Sequence, residues 1–175
     1  MPKALHGCNR VDGNVTDMAI VYKHEGNMHD AFNVRANVFM VEQGFSYDFD
    51  IIDGNPDVLY ITAYDTEAED PNKPIGTARI FPAELEHQFP DDMDAAEDAW
   101  VVGRIAVLSD ARHSGLGSKL LRESERIAAE NGASEMQLHA QVRAMDFYHS
   151  NGYKEYGPYA DDEGVPHQWM SKKLV

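Results

Sequence analysis

Residues 101–119 constrain this chain more than any other stretch. An apolar, β-branched run, Val101-Val102-Gly103-Arg104-Ile105-Ala106-Val107-Leu108, passes through the polar turn Ser109-Asp110-Ala111-Arg112-His113-Ser114 into Gly115-Leu116-Gly117-Ser118-Lys119, where a helical pattern begins. A strand that feeds a helix through Gly-x-Gly leaves backbone N–H groups free at the positive end of the helix dipole, where an anion can sit. Gly115 and Gly117 lack a Cβ and permit close approach to the main chain, and Arg112 adds a positive charge at the same turn. The pattern is not a dinucleotide fingerprint, because Leu120 stands where a third glycine belongs. Nor is it a Walker loop, because Lys119 is followed by Leu120 rather than Ser or Thr. From the residues alone, an anion cradle and an ordinary strand-to-helix turn remain equally open.

The rest of the chain alternates strand and helix signals. Met18–Tyr22 reads as a first strand. From Met28 the spacing becomes helical, with Met28, Phe32 and Phe39 on one stripe, Ala31, Val34, Val38 and Val41 beside it, and Gly44 as the stop. Strands are expected at Asp57–Tyr64, Ile75–Phe81, from Trp100, at Glu135–Val142, near Tyr153–Tyr159 and near His167–Leu174. The helix opened by Gly117 turns Leu116, Leu120, Leu121, Ile127 and Ala128 inward and Arg122, Glu123, Glu125, Arg126 and Glu130 to water. A short helix is expected at Ala144–Ser150. The expected architecture is α/β (α+β): a central mixed sheet of six to seven strands with helices on both faces. It forms one domain over residues 1–175, preceded by a loose arm over residues 1–14.

Composition narrows the function classes. A net charge of −15 argues against nucleic-acid binding, which needs clustered Lys and Arg. It suits cationic small molecules, and equally solubility or a high-salt habitat. No apolar run reaches the roughly 20 residues of a membrane helix. The lone Cys8 and the lack of a signal-peptide pattern make a reducing cytoplasm the expected location, and the sequon at Asn14 a chance match. The eight histidines show no metal-ligand spacing, and Asp48, Asp50 and Asp53 fail the EF-hand pattern, so no metal is expected.

Two further segments carry candidate chemistry. In Phe147-Tyr148-His149-Ser150-Asn151-Gly152-Tyr153, Tyr148 reads either as a core aromatic or as a buried phenol able to protonate a leaving group. In Arg35-Ala36-Asn37-Val38-Phe39-Met40-Val41-Glu42-Gln43, α-helical spacing puts Arg35 and Glu42 on nearly the face of Phe39. Such charges either find partners, border a cleft or mark a solvated edge.

Together and in this order, these segments resemble the GNAT superfamily of acyl-CoA-dependent N-acetyltransferases over roughly Met18–Leu174. Val102–Leu120 is similar to its Arg/Gln-x-x-Gly-x-Gly/Ala motif, and Leu138–Tyr153 to its strand followed by Phe-Tyr-x-x-x-Gly-Tyr/Phe. Arg35-x-x-Val38-Phe39-x-x-Glu42-Gln43, Asp50-x-x-Asp53-Gly54, Leu138-x-Ala140-Gln141 and Gly164-Val165-Pro166-His167-x-x-Met170 resemble its ElaA-like branch.

The resemblance implies acetyl-CoA as co-substrate and a primary amine of a small molecule or peptide as acceptor. Backbone amides of Arg112, His113, Ser114, Gly115, Leu116, Gly117 and Ser118 would hold the diphosphate. Ile105, Ala106 and Val107 would pair with the pantetheine arm, and Tyr148 would protonate the thiolate. Glu42 is the leading candidate base, with His139 and His167 behind it and Arg35 on the substrate list. The competing expectation is an acyl-CoA sensor without chemistry, and edge strands near the C-terminus leave a homodimer open. The acidic stretch 84–98 is not part of the shared pattern.

Overall fold

The computed structural model describes residues 18–91, 93 and 96–174; the expected arm at 1–14, with Cys8 and the sequon, lies outside them. In chain order the elements are β1 (Ile20–Lys23), α1 (Met28–Arg35), a π-helical segment (Ala36–Glu42), β2 (Leu59–Asp65), β3 (Gly76–Pro82), β4 (Ala99–Val107), α2 (Leu116–Glu130), β5 (Glu135–Gln141), α3 (Met145–Ser150), β6 (Lys154–Asp162) and β7 (Val165–Lys173). They build a seven-stranded sheet of order β1-β2-β3-β4-β5-β7-β6, antiparallel except between β4 and β5. Strand alternation sorts the side chains between two layers. Ile61, Ala63, Ala78 and Ile80 pack under Leu116, Leu120, Leu121 and Ala128 of α2. Tyr60 and Phe81 face Ala31 of α1 on the opposite side.

Two backbone irregularities open this sheet. Thr77 pairs with Ala106 but Arg79 with Gly103, so β4 carries one extra residue around Arg104 and Ile105. Arg104 sits there at φ +49°, a bulge conformation that re-aims a side chain. Second, β4 and β5 pair only over Ala99–Val101 and Glu135–Gln137; beyond that point β5 pairs with β7 alone. The two central strands therefore splay, and a gap opens between them.

The helix beginning at Met28 departs from its sequence pattern. Alpha-helical spacing predicts Val41 on the buried stripe, yet Val41 is 77% exposed, while Ala31, Val34 and Val38 are buried. After Arg35 the hydrogen bonds lengthen to i→i+5, as between the Gln43 N–H and the Val38 carbonyl (3.1 Å), and the wider turn rotates the last residues off the α-helical register. On α2, Leu116, Leu120, Leu121, Ile127 and Ala128 are buried as expected. Glu125 is not simply solvated: it accepts from the Tyr153 hydroxyl (2.9 Å) and from Lys172 (2.8 Å).

Candidate active site

Two cavities flank the splay and share Gln43, Ile105, Gln141 and Ala144 as common walls. The first is bounded by Val38, Glu42, Ala106, Val107, Arg112 and Arg143, alongside the exposed length of β4. The second, of about 440 Å³, lies beneath the loop 44–51 and is lined by aromatic rings together with Arg104, His139, Tyr148, Asp162, Glu163 and His167. A hydrogen bond from Gln141 to Gln43 (3.0 Å) spans their junction.

Past Arg112, which lines the first cavity, Gly115 caps α2 at φ +79°, and no side chain among the described residues caps the helix. The amides of its first turn therefore have no intrahelical partner. The two glycines differ in role. At Gly115 the backbone conformation demands glycine, whereas a Cβ on Gly117 would lie 3.3 Å from the Phe147 ring, so Gly117 lets α3 pack against α2. Arg112 is not free to neutralise an anion on its own. It donates to the Val107 carbonyl (2.9 Å) and pairs with Glu42 (2.8 Å).

That pair gives Glu42 a partner: the π-helical turn carries its carboxylate to Arg112, and it lines the first cavity rather than the aromatic one. Arg35 leaves the substrate list. It is 0% exposed, and its guanidinium donates to Asp48 (2.7 Å) and bidentately to Asp53 (3.0 and 2.9 Å). Asp53 also accepts from Arg79 (3.1 Å), the Tyr60 hydroxyl (2.8 Å) and the Asp50 N–H (2.9 Å). Asp50 in turn meets Arg79 (3.0 Å) and His87 (2.8 Å). Burial opposes the Arg35 cation, but the bonds and charge of Asp53 and Asp48 outweigh it and raise its pKa. Burial likewise opposes the Asp53 anion, and Arg35 and Arg79 hold it well below the usual carboxylate range. The Arg35…Asp53-Gly54 pattern is thus a buried ion network that fastens the loop 44–54 over the sheet.

Tyr148 lines the aromatic cavity, edge-on to Phe147 (5.0 Å) and Tyr153 (6.1 Å), and burial pushes its phenol up to about 12. His139 stacks on Trp169 (4.5 Å, 11°) and lies 4.8 Å from the ring of His167. Burial first, then the neighbouring His167, lowers its pKa to about 4, so it is neutral at pH 7; its buried Nε2 has no protein partner among the described residues. The Nδ1 of His167 lies 2.8 Å from the Val165 carbonyl and must donate there, so in the neutral ring the lone pair is on Nε2.

A sequence-family model described as the acetyltransferase (GNAT) family matches residues 28–153. The chain belongs to the GNAT family. As a GNAT acetyltransferase it is 32% identical over 155 residues to the uncharacterized N-acetyltransferase YjcF of Bacillus subtilis, covering 88% of this chain and 98% of that protein. Its structure is similar to that of a Lactobacillus plantarum protein assigned as an N-acetyltransferase (TM-score 0.72, 27% identity, 90% and 99% of the two chains). Escherichia coli ElaA shares the fold (TM-score 0.69, 22% identity, 87% and 99%). The acetyltransferase is an acyltransferase enzyme, and no helix among its described residues is long and apolar enough to cross a membrane.

Sequence reasoning passed over several residues of the GNAT enzyme's cleft: Arg104, Gln141 as a side chain rather than a motif letter, Asp162, and the rings of Phe45, Tyr47 and Phe49. One signal was present. A single arginine in the apolar run Val101–Leu108 is costly inside a strand unless something receives it.

The partly buried His139 yields a stability prediction. Its folded pKa lies below the ordinary value of 6.5, so the unfolded chain binds more protons between about pH 4 and 6.5. Stability from this group is complete above pH 6.5 and is lost as pH falls towards 4. Urea midpoints measured across that window should fall for the natural chain, and His139→Phe should flatten the slope.

Proposed function

We propose that this acetyltransferase moves an acetyl group from acetyl-CoA to a primary amine by direct attack, with the β4 side of the splay holding the donor and the aromatic cavity holding the acceptor. The observation that carries this reading is the splay itself. Beyond Val101 the β4 backbone has no partner on its β5 side among the described residues, and an extended pantetheine arm with amides of its own can pair with Ile105, Ala106 and Val107 as an added strand. The diphosphate then falls at the uncapped N-terminus of α2, where the amides from His113 through Ser118 are available to it; the Arg112 N–H already donates to the Ser109 carbonyl (3.4 Å).

The bulge gives the chemistry a place. Around Ile105 the ladder to β3 is broken, so a main-chain N–H there can donate to the oxyanion that forms when the amine attacks the thioester. One such donor is worth on the order of 3 kcal/mol. Tyr148, held neutral by burial, donates to the departing thiolate. An alkyl ammonium has a pKa near ~10 and must lose a proton before it attacks. The lone pair on His167 Nε2 is the acceptor we assign, in place of Glu42, which Arg112 holds. His139, with its low pKa, keeps that corner uncharged. We read residues 1–175 as one domain that carries the whole reaction.

Acetyl-CoA at a hundredfold excess over its Kd should stabilise the protein by about 2.7 kcal/mol. For a chain of this size that is a rise in Tm of roughly 5–10 °C, read by a thermal melt. Thiol release with a panel of amines should accompany it. A protein that neither melts higher with acetyl-CoA nor releases thiol with any amine would refute the reading.

A further inference from the structure

The bulge that breaks β4 also turns Arg104 into the aromatic cavity. Its φ of +49° is unusual for a residue with a Cβ, and such strain persists where the surroundings or a ligand favour it. The guanidinium is the least satisfied of three neighbouring arginines. Arg35 makes four hydrogen bonds to Asp48 and Asp53, and Arg79 makes two, to Asp53 and Asp50. Arg104 is left with charge contacts to Asp48 (3.1 Å) and Asp50 (3.8 Å), and its buried Nε has no aligned hydrogen-bond partner among the described residues. Both of those carboxylates are already engaged by the other two arginines. Burial, then the charges of Arg79 and Arg35, lower the Arg104 pKa, and Asp48 and Asp50 only partly offset them. Three carboxylates, Asp48, Asp50 and Asp53, thus balance three arginines, and Arg104, whose side chain is 30% exposed against 0% and 4% for Arg35 and Arg79, is the one that reaches the cavity with its fork unsaturated.

The other walls differ in kind. Tyr47 and Phe49 stand 6.2 Å apart by ring centroid and are 64% and 49% exposed, which presents apolar rings to whatever enters. Asp162 and His167, which line the cavity from β6 and β7, supply a carboxylate and a basic nitrogen. Resting on the reading of this cavity as the acceptor site, we propose that the acceptor is a free amino acid with an apolar or aromatic side chain. Its carboxylate would be received by Arg104, its side chain by the aromatic wall, and its amine directed towards Asp162, His167 and the thioester. A planar guanidinium with unused N–H donors suits a carboxylate, which can accept two of them at once. A cavity of about 440 Å³ is of small-molecule size.

The test uses phenylalanine, phenylalaninamide and 2-phenylethylamine with acetyl-CoA, followed by thiol release. The free acid should show a kcat/KM higher than either analogue by on the order of tenfold or more, the scale of a charge-assisted hydrogen bond. In Arg104→Gln that preference should shrink to about twofold or less, and Arg104→Lys, which keeps the charge but not the fork, should fall between. Because the readout is a ratio within one variant, a general loss of stability cannot mimic it. Calorimetric titration of phenylalanine and phenylalaninamide into the CoA-loaded protein should give the same order of affinities and the same response to Arg104→Gln. Equal use of the amide or the simple amine by the natural chain, a better rate with putrescine, or a preference that survives Arg104→Gln would overturn the proposal while leaving acetyl transfer intact. Selective binding of the acid without thiol release from any acceptor would instead strike the transfer reading and support the carboxylate site.

Discussion

Tyr148→Phe should lower kcat about a hundredfold, the lower end of what a positioned acid contributes, while leaving the acetyl-CoA-induced rise in Tm within about 1 °C of the natural chain. The substitution removes one hydroxyl and keeps the ring that packs on Phe147 and Tyr153, so neither α3 nor the Gly117–Phe147 contact is disturbed. Its physical basis is the direction of the pKa. Burial drives the phenol to about 12, which guarantees a proton at neutral pH but makes it a weaker acid than a thiol of pKa ~8.5. Complete transfer to a formed thiolate is therefore uphill. In the proposed mechanism the hydroxyl keeps its proton and donates a hydrogen bond to charge as it develops, while the proton that the amine gives to His167 balances the one the released thiol takes up. Loss of a group that works only in the transition state lowers kcat and kcat/KM together, and steady-state kinetics should show that. Turnover of the Phe variant within twofold of the natural chain would remove Tyr148 from the mechanism. In the natural enzyme, ionisation of Tyr148 should impose no alkaline limb on the rate below its own pKa of about 12.

Asp53→Ala should be the most damaging single change to stability, at about 3–5 kcal/mol, because it strands the Arg35 and Arg79 guanidinium groups without their shared partner. That corresponds to a drop in Tm of roughly 10 °C or more, measurable by calorimetry. The effect should reach the site as well. Arg35 and Asp53 fasten the loop bearing Tyr47 and Phe49, so KM for the acceptor should rise more than KM for acetyl-CoA. The network also sets an acid limit. Asp53 and Asp50 are held below the ordinary carboxylate pKa, so the unfolded chain takes up their protons first. Their contribution is present above about pH 4 and is lost as pH falls below it. This window lies beneath that of His139, so urea midpoints across pH should separate the two: His139→Phe alters the slope between pH 6.5 and 4, and Asp53→Ala the one below 4.

Local chemistry was readable from the sequence wherever it repeats at a fixed spacing. The Gly115–Lys119 turn, the buried face of α2 and the strand pairs rest on glycine conformation and on periods of 3.6 and 2, which neighbours along the chain set. The helix after Arg35 departs from its sequence pattern, because its residues obey α-helical spacing while the backbone adopts i→i+5 bonds. That shift exposes Val41 and hands Glu42 to Arg112. Arg35 stands out in the sequence as a charge on an apolar face, but the sequence does not say whether it finds a partner, borders a cleft or marks a solvated edge. Nothing local pairs it with Asp53, 18 positions away.

In the Val101–Lys119 stretch, strand, glycine turn and helix follow from covalent geometry and residue order, and the resemblance of that stretch, Phe147-Tyr148 and Arg35–Gln43, taken in order, to known motifs is what points to the family. Tertiary structure alone decided which charges are free. Arg35, Glu42 and Arg112 are each consumed by a partner distant in sequence, whereas Arg104, an arginine in an otherwise apolar strand, is turned by a one-residue bulge into the cavity with donors to spare. The reason is physical. Backbone preference acts over a few residues, but a buried charge is settled only by what the fold packs against it.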